Sequence, residues 1–382
     1  MARSRQSTIP TAATRLAASR HPRSQPLTPH PADPKVEPAS RLAHRVLRSP
    51  PGTALAEKPT TGSTMDLLSA YRDMLTIRLF EESLLRCAEQ GLVPGAIHPY
   101  TGQEAVAVGV LGARDPAEWV VSFYRCHGHA LAAGCPPDRV MREVLGRSGG
   151  LCGGKSGSMH LADRDHRLLG STSIVAAQLP IAAGAAMAAR LDGDGRAVLV
   201  FCGDGALGAG GAYETLTIAA AQRLPLLVVC EDNGWQDQTA SALVRHLSPV
   251  ELVAGLKLPY VEVDGNDVEA VHDAADTALA ACRAGTGPQV VVAHTYLRDF
   301  HTQLGQHPPP QYRPEEERRR WAERDPLTVA AGRLTVDLTA LHAEVAAEVD
   351  ALLQAALDAE EPDPATATTG VTVTGDLIGA GR

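Results

Sequence analysis

Residues 197–233 read AVLVFCGDGALGAGGAYETLTIAAAQRLPLLVVCEDN. The stretch opens with a short unbroken apolar run, 197–202, that meets Gly203-Asp204-Gly205. An Ala-rich segment over 211–222 follows, with the composition of a crossover helix. A second apolar run, 224–230, then ends on Glu231-Asp232-Asn233. Apolar runs of this length separated by helical stretches are what strands buried on both faces look like. Two more such runs lie at 261–263 and 290–293. The expected fold is therefore α/β, a parallel sheet flanked by helices. Ligands of such sheets bind beyond the carboxyl ends of the strands, and both polar clusters fall there.

The chemistry of these clusters suits a diphosphate held through magnesium. Mg²⁺ takes oxygen ligands in octahedral geometry and few carboxylates. Asp204 offers one carboxylate, in a turn where Gly203, Gly205 and Ala206 let the backbone approach an anion closely. The helix after it would aim its first amides at the same charge. Asn233, 29 residues further on, offers a neutral oxygen, and the carbonyl of Trp235 a third. A lone Gly-Asp-Gly says little, and this chain contains a second at Gly193-Asp194-Gly195. That copy precedes the strand and has no Asn at the matching distance, so it reads as a plain turn. Spacing and strand context separate the two.

The rest of the chain narrows the class of protein. A net charge of −9 over 382 residues argues against nucleic acid as a partner. No apolar run reaches the roughly 18 residues of a membrane span. The seven cysteines are scattered without a C-x-x-C, as in a reducing compartment. Residues 1–64 carry a net +7 and ten of the 27 prolines. Such a segment cannot bury enough apolar area to offset its ordering entropy, so 1–64 is expected to be a disordered extension. It also fits a transit peptide, which would place the protein in an organelle matrix; without that role the expectation is cytoplasmic. The folded domain is expected over 65–365, with a flexible tail over 366–382. Within the domain, 65–85 has helical spacing of apolar residues, and 314–324 reads as a charged helix on a solvated face.

With these features in order, the chain resembles the alpha subunits of thiamine-diphosphate-dependent 2-oxo acid dehydrogenases of the pyruvate, branched-chain and acetoin types. Further landmarks stand in family order over about 66–365. They are Thr101-Gly102-Gln103-Glu104-Ala105, Tyr124-Arg125-Cys126-His127-Gly128, Gly154 to His160, Ile174 to Gln178, Val263 to Val268, and Tyr312-Arg313 to Asp325-Pro326. The resemblance implies a thiamine-diphosphate-binding fold in which Tyr124 and Arg125 grip the diphosphate. It implies that the backbone at Ser173 and Val175 holds the aminopyrimidine, and that His98 and His301 stand near the reactive carbon. It further implies a beta subunit in an α2β2 heterotetramer, since nothing here resembles the chain that supplies the activating glutamate. A small-molecule 2-oxo acid would be the substrate. The acyl group would pass to a lipoyl acyltransferase component or another carrier protein.

The pattern breaks around one loop. Where the family has a diphosphate-binding Arg four residues before the active-site His, this chain has Leu297, with Arg298 one position later. Arg298 is expected to substitute for it after a local backbone shift. The segment 302–311 is Pro-rich and departs from the usual pattern as well. Three functional readings follow: oxidative decarboxylation of a 2-oxo acid, acetoin cleavage by the same machinery, and a non-catalytic paralogue that binds a beta partner.

Overall fold

A computed structural model describes residues 65–369. The expected extension over 1–64 lies outside the described residues, as does the expected tail from 370 onward.

Six strands form the central sheet: β1 (Trp119–Phe123), β2 (Leu168–Thr172), β3 (Val198–Gly203), β4 (Leu226–Asp232), β5 (Tyr260–Asp264) and β6 (Gln289–His294). They lie in the order β2-β1-β3-β4-β6-β5, and every neighbouring pair is parallel. The four apolar runs recognised in the sequence are β3 to β6. The edge strand β2 escaped notice because Leu-Leu-Gly-Ser-Thr is neither uniformly apolar nor alternating.

Buried on both faces, the central strands divide their side chains between two cores with a period of two. Leu199 and Phe201 of β3 face one core with Leu227 and Val229 of β4. Val198, Val200 and Cys202 face the other with Leu226, Val228 and Cys230. The helices that cover these faces include α1 (Leu67–Glu89), α2 (Glu104–Gly112), α3 (His127–Ala132), α4 (Pro137–Val144), α5 (Gln178–Asp192), α6 (Gly210–Ala221), α7 (Val268–Arg283) and α8 (Thr339–Leu357). The first core packs against α1, α2 and α7 through residues such as Phe80, Val110 and Leu279. The second packs against α5 and α6, where Ala182, Ala186 and Ala212 let the helices sit close to the sheet. Each fully buried Leu or Val contributes about 1.5–3 kcal/mol, so these two layers supply most of the favourable term.

Several landmarks act as structural ties. Buried Arg78 on α1 donates to Glu104 at 2.6 and 3.0 Å and pairs with Asp325 at 3.0 Å. Pairing with two carboxylates offsets the cost of desolvating this guanidinium, and the tie fixes α1, α2 and the turn at 325 together. Gly102 has φ +96°, and a Cβ there would sit 2.3 Å from the carbonyl of Tyr296, so only glycine fits. The charged helix expected near 314–324 is Glu315–Ala322 and buries none of its residues.

Candidate active site

The order of the strands reverses between β1 and β3. The chain runs outward from β1 to the β2 edge, then from β3 to β4 in the opposite direction. Connections that diverge from two adjacent strands leave a crevice at their carboxyl ends. A cavity of about 260 Å³ occupies that position. Its lining brings together Tyr124 and Arg125 after β1, Gly203, Asp204, Gly205 and Ala206 after β3, and Asn233 and Trp235 after β4. Val175 and His301 complete the set. These were singled out from strand-end position or family resemblance, and folding places them around one space.

The turn at Asp204 differs in detail from expectation. The segment Asp204–Gly208 is a 3-10 turn, and α6 begins only at Gly210. Neither glycine of Gly203-Asp204-Gly205 has a positive φ. Gly205 stands close to its neighbour instead, since a Cβ there would meet the Gln236 side chain at 3.1 Å and make it give way by a few tenths of an ångström. The other copy caps α5 with Gly193 at φ +71°, and among the described residues its Asp194 bonds only Arg196, so it is a turn.

Asp204 is almost completely buried. Burial first, and then the neighbouring Asp232, push its carboxyl up to about 6 against the opposing pull of Ser241 and Arg245. Ser241 donates to Asp204 Oδ2, and Arg245 Nη2 lies 3.1 Å from the same oxygen. Asn233 is held at both ends: its Nδ2 donates to Gln103 Oε1 at 3.0 Å, and its Oδ1 accepts from the Trp235 N–H at 3.0 Å. Behind it lies a buried carboxylate, Glu231. This group accepts from the Tyr100 hydroxyl and from Gln103 Nε2 at 2.9 Å, and bonds His129 Nε2 at 3.0 Å. Gln103, Glu231, Ser241 and Arg245 were absent from the residues picked out by sequence. Gln103 could have been found, because it stands inside the Thr-Gly-Gln-Glu-Ala landmark.

Arg125 is buried and donates to the carbonyls of Pro99 at 2.7 Å and His301 at 3.1 Å, and to His301 Nδ1 at 3.3 Å. A guanidinium cannot accept, so Nδ1 of His301 must, which puts the proton of the neutral ring on Nε2. Three of five N–H groups are so used, leaving two for an anion in the cavity. Burial, then Arg125 and Arg313, push His301 down to about 3. His98 stands beside it, 5.3 Å between ring centroids, and 4.5 Å from the ring of Tyr124. Burial followed by the charge of Arg125 pushes His98 down to about 2, and its Nδ1 has no hydrogen-bond partner among the described residues. Both imidazoles are therefore neutral at physiological pH.

Three residues picked from sequence do not line the cavity: His98 (which stands beside His301), Ser173 and Arg298. Ser173 follows β2, and its hydroxyl bonds His160 Nε2 at 3.2 Å. Arg298 requires a correction. Its backbone N–H is tied to the carbonyl of Thr101 at 3.0 Å, and its guanidinium pairs with Asp325 at 3.0 Å. It lines a separate pocket with Tyr296 and Trp321 and does not take the place of the arginine that Leu297 lacks. Leu297 itself is buried, and its carbonyl accepts from Arg313.

The strained backbone also collects here. Of the non-glycine residues with positive φ, Ala176 (φ +68°) and Asp237 (φ +52°) both line the cavity. Such conformations cost on the order of 1–3 kcal/mol each and cluster at functional sites.

Comparison with known proteins agrees with this geometry. Residues 72–365 match the family model described as the dehydrogenase E1 component. The chain is 40% identical over 243 residues to the alpha subunit of acetoin:2,6-dichlorophenolindophenol oxidoreductase from Cupriavidus necator, covering 63% of this chain and 73% of that one. It is 38% identical over 288 residues to the pyruvate dehydrogenase E1 component subunit alpha of Rhizobium meliloti, covering 73% and 82%. Over 365 residues it is 31% identical to the chloroplastic pyruvate dehydrogenase E1 component subunit alpha-3 of Oryza sativa subsp. japonica, covering 89% and 85%.

Proposed function

The chain belongs to the dehydrogenase E1 component family and is an oxidoreductase, and on that premise we propose that it is the alpha subunit of a thiamine-diphosphate- and magnesium-dependent 2-oxo acid dehydrogenase. The observation that carries the reading is the convergence of Arg125, Asp204, Asn233 and Trp235 on one cavity at the crevice of the sheet. That donor set fits the group. It offers a carboxylate, an amide oxygen and a main-chain carbonyl, the hard ligands magnesium prefers, with a guanidinium for the diphosphate.

In this reading Asp204, Asn233 and the carbonyl of Trp235 hold the magnesium, Arg125 with Tyr124 holds the diphosphate, and the segment at Ser173–Val175 holds the aminopyrimidine. When bound, thiamine diphosphate supplies a carbon nucleophile that adds to the oxo carbon of the substrate. The protein's own share is positional and protonic. Neutral His301, with its proton on Nε2, donates a hydrogen bond to oxygen atoms of the substrate. His98, with an unpartnered Nδ1, accepts or relays a proton beside it. Buried walls exclude water from the same space.

Exposed apolar residues at the mouth support a beta-subunit partner in an α2β2 assembly. Ile174 and Val175 are 66% and 55% exposed, and Leu243 on the segment beside Asp204 is 80% exposed. A lipoyl group or another carrier protein is the acyl acceptor in this proposal. The buried Leu297 and the outward Arg298 favour an acceptor or substrate unlike that of typical relatives. Acetoin cleavage is the second reading, favoured by the 40% identity to an acetoin oxidoreductase subunit.

The test uses the alpha chain co-purified with its beta subunit. Calorimetry should show magnesium-dependent binding of thiamine diphosphate in the wild type and its loss in Asp204→Ala. A panel of 2-oxo acids and acetoin with an artificial electron acceptor then separates the two activities. Absence of cofactor binding in the wild-type pair would sink the proposal, and binding without turnover of any panel member would favour the non-catalytic reading.

A further inference from the structure

At the opposite end of the sheet, near the amino termini of β1 and β2, three side chains of different chemistry converge. The thiol of Cys135, a carboxylate oxygen of Asp163 and an imidazole nitrogen of His166 all lie within 4.8 Å of one another. They come from separate places in the chain. Cys135 follows α3, beyond the turn at Gly134 (φ +93°). Asp163 and His166 lie in the tight turn that leads into β2. We propose that Cys135, Asp163 and His166 form a binding site for a thiophilic divalent transition ion of the zinc class, separate from the magnesium clasp.

The frame is rigid enough to present ligands. Asp163 and Leu168 exchange backbone hydrogen bonds of 2.9 and 2.8 Å, closing the turn. Asp163 Oδ1 also accepts from the N–H of Asp165 at 3.1 Å. Within the same turn Arg167 is held at φ +59°, with its guanidinium 4.8 Å from the ring centre of Trp119 at the start of β1. The turn is therefore fastened at both ends, which holds the backbone of its two ligands beside Cys135.

The charges point to a cation. Asp163 is buried, and among the described residues its only ion-pair partner is His166, at 2.8 Å. The nearby Arg114 is already engaged, donating from Nη1 to the carbonyl of Glu118 at 2.8 Å and from Nη2 to that of Ala133 at 3.1 Å. Cys135 is almost wholly buried. A divalent ion bound beside it would displace the thiol proton outright. One thiolate, one carboxylate and one neutral imidazole bring the site with a divalent ion to zero net charge, a tolerable state for a buried centre.

Ligand softness selects the class. Magnesium and calcium take oxygen, whereas a sulfur–nitrogen–oxygen set suits zinc and its neighbours. The side chain of His166 is 35% exposed, so an ion has a way in and solvent can supply a fourth ligand. The bound ion would join the end of α3, which follows Tyr124 and Arg125 in the chain, to the turn before β2.

The test loads the full chain, freed of metal by chelation, with cobalt(II) or zinc(II). One equivalent should bind, and cobalt should show a thiolate-to-metal charge-transfer band, which oxygen ligands of the magnesium clasp do not produce. His166→Ala, a change at the exposed edge that leaves the core untouched, should weaken binding by at least about a hundredfold. Cys135→Ala should abolish the band, while Cys152→Ala, which removes the half-exposed cysteine, and Asp204→Ala should keep it. If the wild type shows no band, or the band survives in His166→Ala and vanishes in Cys152→Ala, the three residues are only a hydrogen-bonded clip and the proposal fails. Because Asp204→Ala removes the clasp alone, failure of this site and failure of the cofactor reading are read separately.

Discussion

Gln103 uses both ends of its amide in the site, donating to Glu231 and accepting from Asn233. In doing so it sets the orientation of the Asn233 oxygen without touching the cavity contents itself. Partners that orient a ligand typically contribute 10–100-fold to metal affinity. Gln103→Ala is therefore expected to lower magnesium affinity at saturating thiamine diphosphate by about 10-fold or more. The accompanying stability loss should be only about 2 kcal/mol, the cost of two buried hydrogen bonds. A magnesium titration followed by calorimetry reads the first, and urea denaturation the second. Unchanged magnesium affinity would remove Gln103 from its positioning role. At this scale the sequence brought forward residues that chain-local spacing relates, such as Asp204 and Asn233, which line one cavity. It was silent on Glu231, because a glutamate at a strand end looks the same whether buried or solvated. It misled at Arg298, whose guanidinium pairs with Asp325, a residue 27 positions further along the chain.

At the scale of elements, the glycine-rich segment after α4 shows how a loop without regular structure is held. The carboxylate of Glu143, fully buried on α4, accepts from the N–H groups of Cys152, Gly154, Ser156 and Gly157 and from the Ser156 hydroxyl, at 2.7–3.3 Å. Gly150 backs onto the same residue so closely that a Cβ would lie 2.4 Å from the carboxylate. An amide in place of that carboxylate has one acceptor oxygen and turns an NH2 group toward backbone donors. Glu143→Gln should therefore cost about 2–4 kcal/mol and free the loop over 150–157. Limited trypsin digestion at Lys155 is the check, since wild type should resist cleavage there and the variant should not. The family landmark from Gly154 to His160 was legible as a motif. Its physical cause was not, because the residue that gathers it lies on a different element.

For the molecule as a whole, the strand ends are also where charge controls stability. His294 closes β6 between Asp232 on β4 and Glu262 on β5, at 3.5 and 3.2 Å. Burial alone would depress this imidazole, but hydrogen bonds to the two carboxylates hold it up at about 9. A folded-state value above the unfolded one means that the stabilisation is complete below about pH 6.5 and fades as pH rises toward 9. With the pair half exposed, the loss should be about 1–2 kcal/mol after screening. Thermal or urea unfolding across pH 6–9.5 should show it in wild type and not in His294→Asn. An equal slope in the variant would place the effect elsewhere. The sheet itself was readable because its central strands are apolar on both sides. The edge strand β2 and the reversal between β1 and β3 depend on contacts far apart in sequence, which no local pattern encodes.

That two-sided burial has an evolutionary consequence. Along β3 and β4 every apolar side chain belongs to one core or the other, so a substitution there that changes size or polarity costs stability. Adaptation to a new substrate or acceptor is therefore channelled into segments that hang from the sheet instead of composing it. The stretch 297–311, anchored through the guanidinium of Arg313 beneath it, is such a segment. Lineages of this chain can rewrite its chemistry there while inheriting the scaffold unchanged.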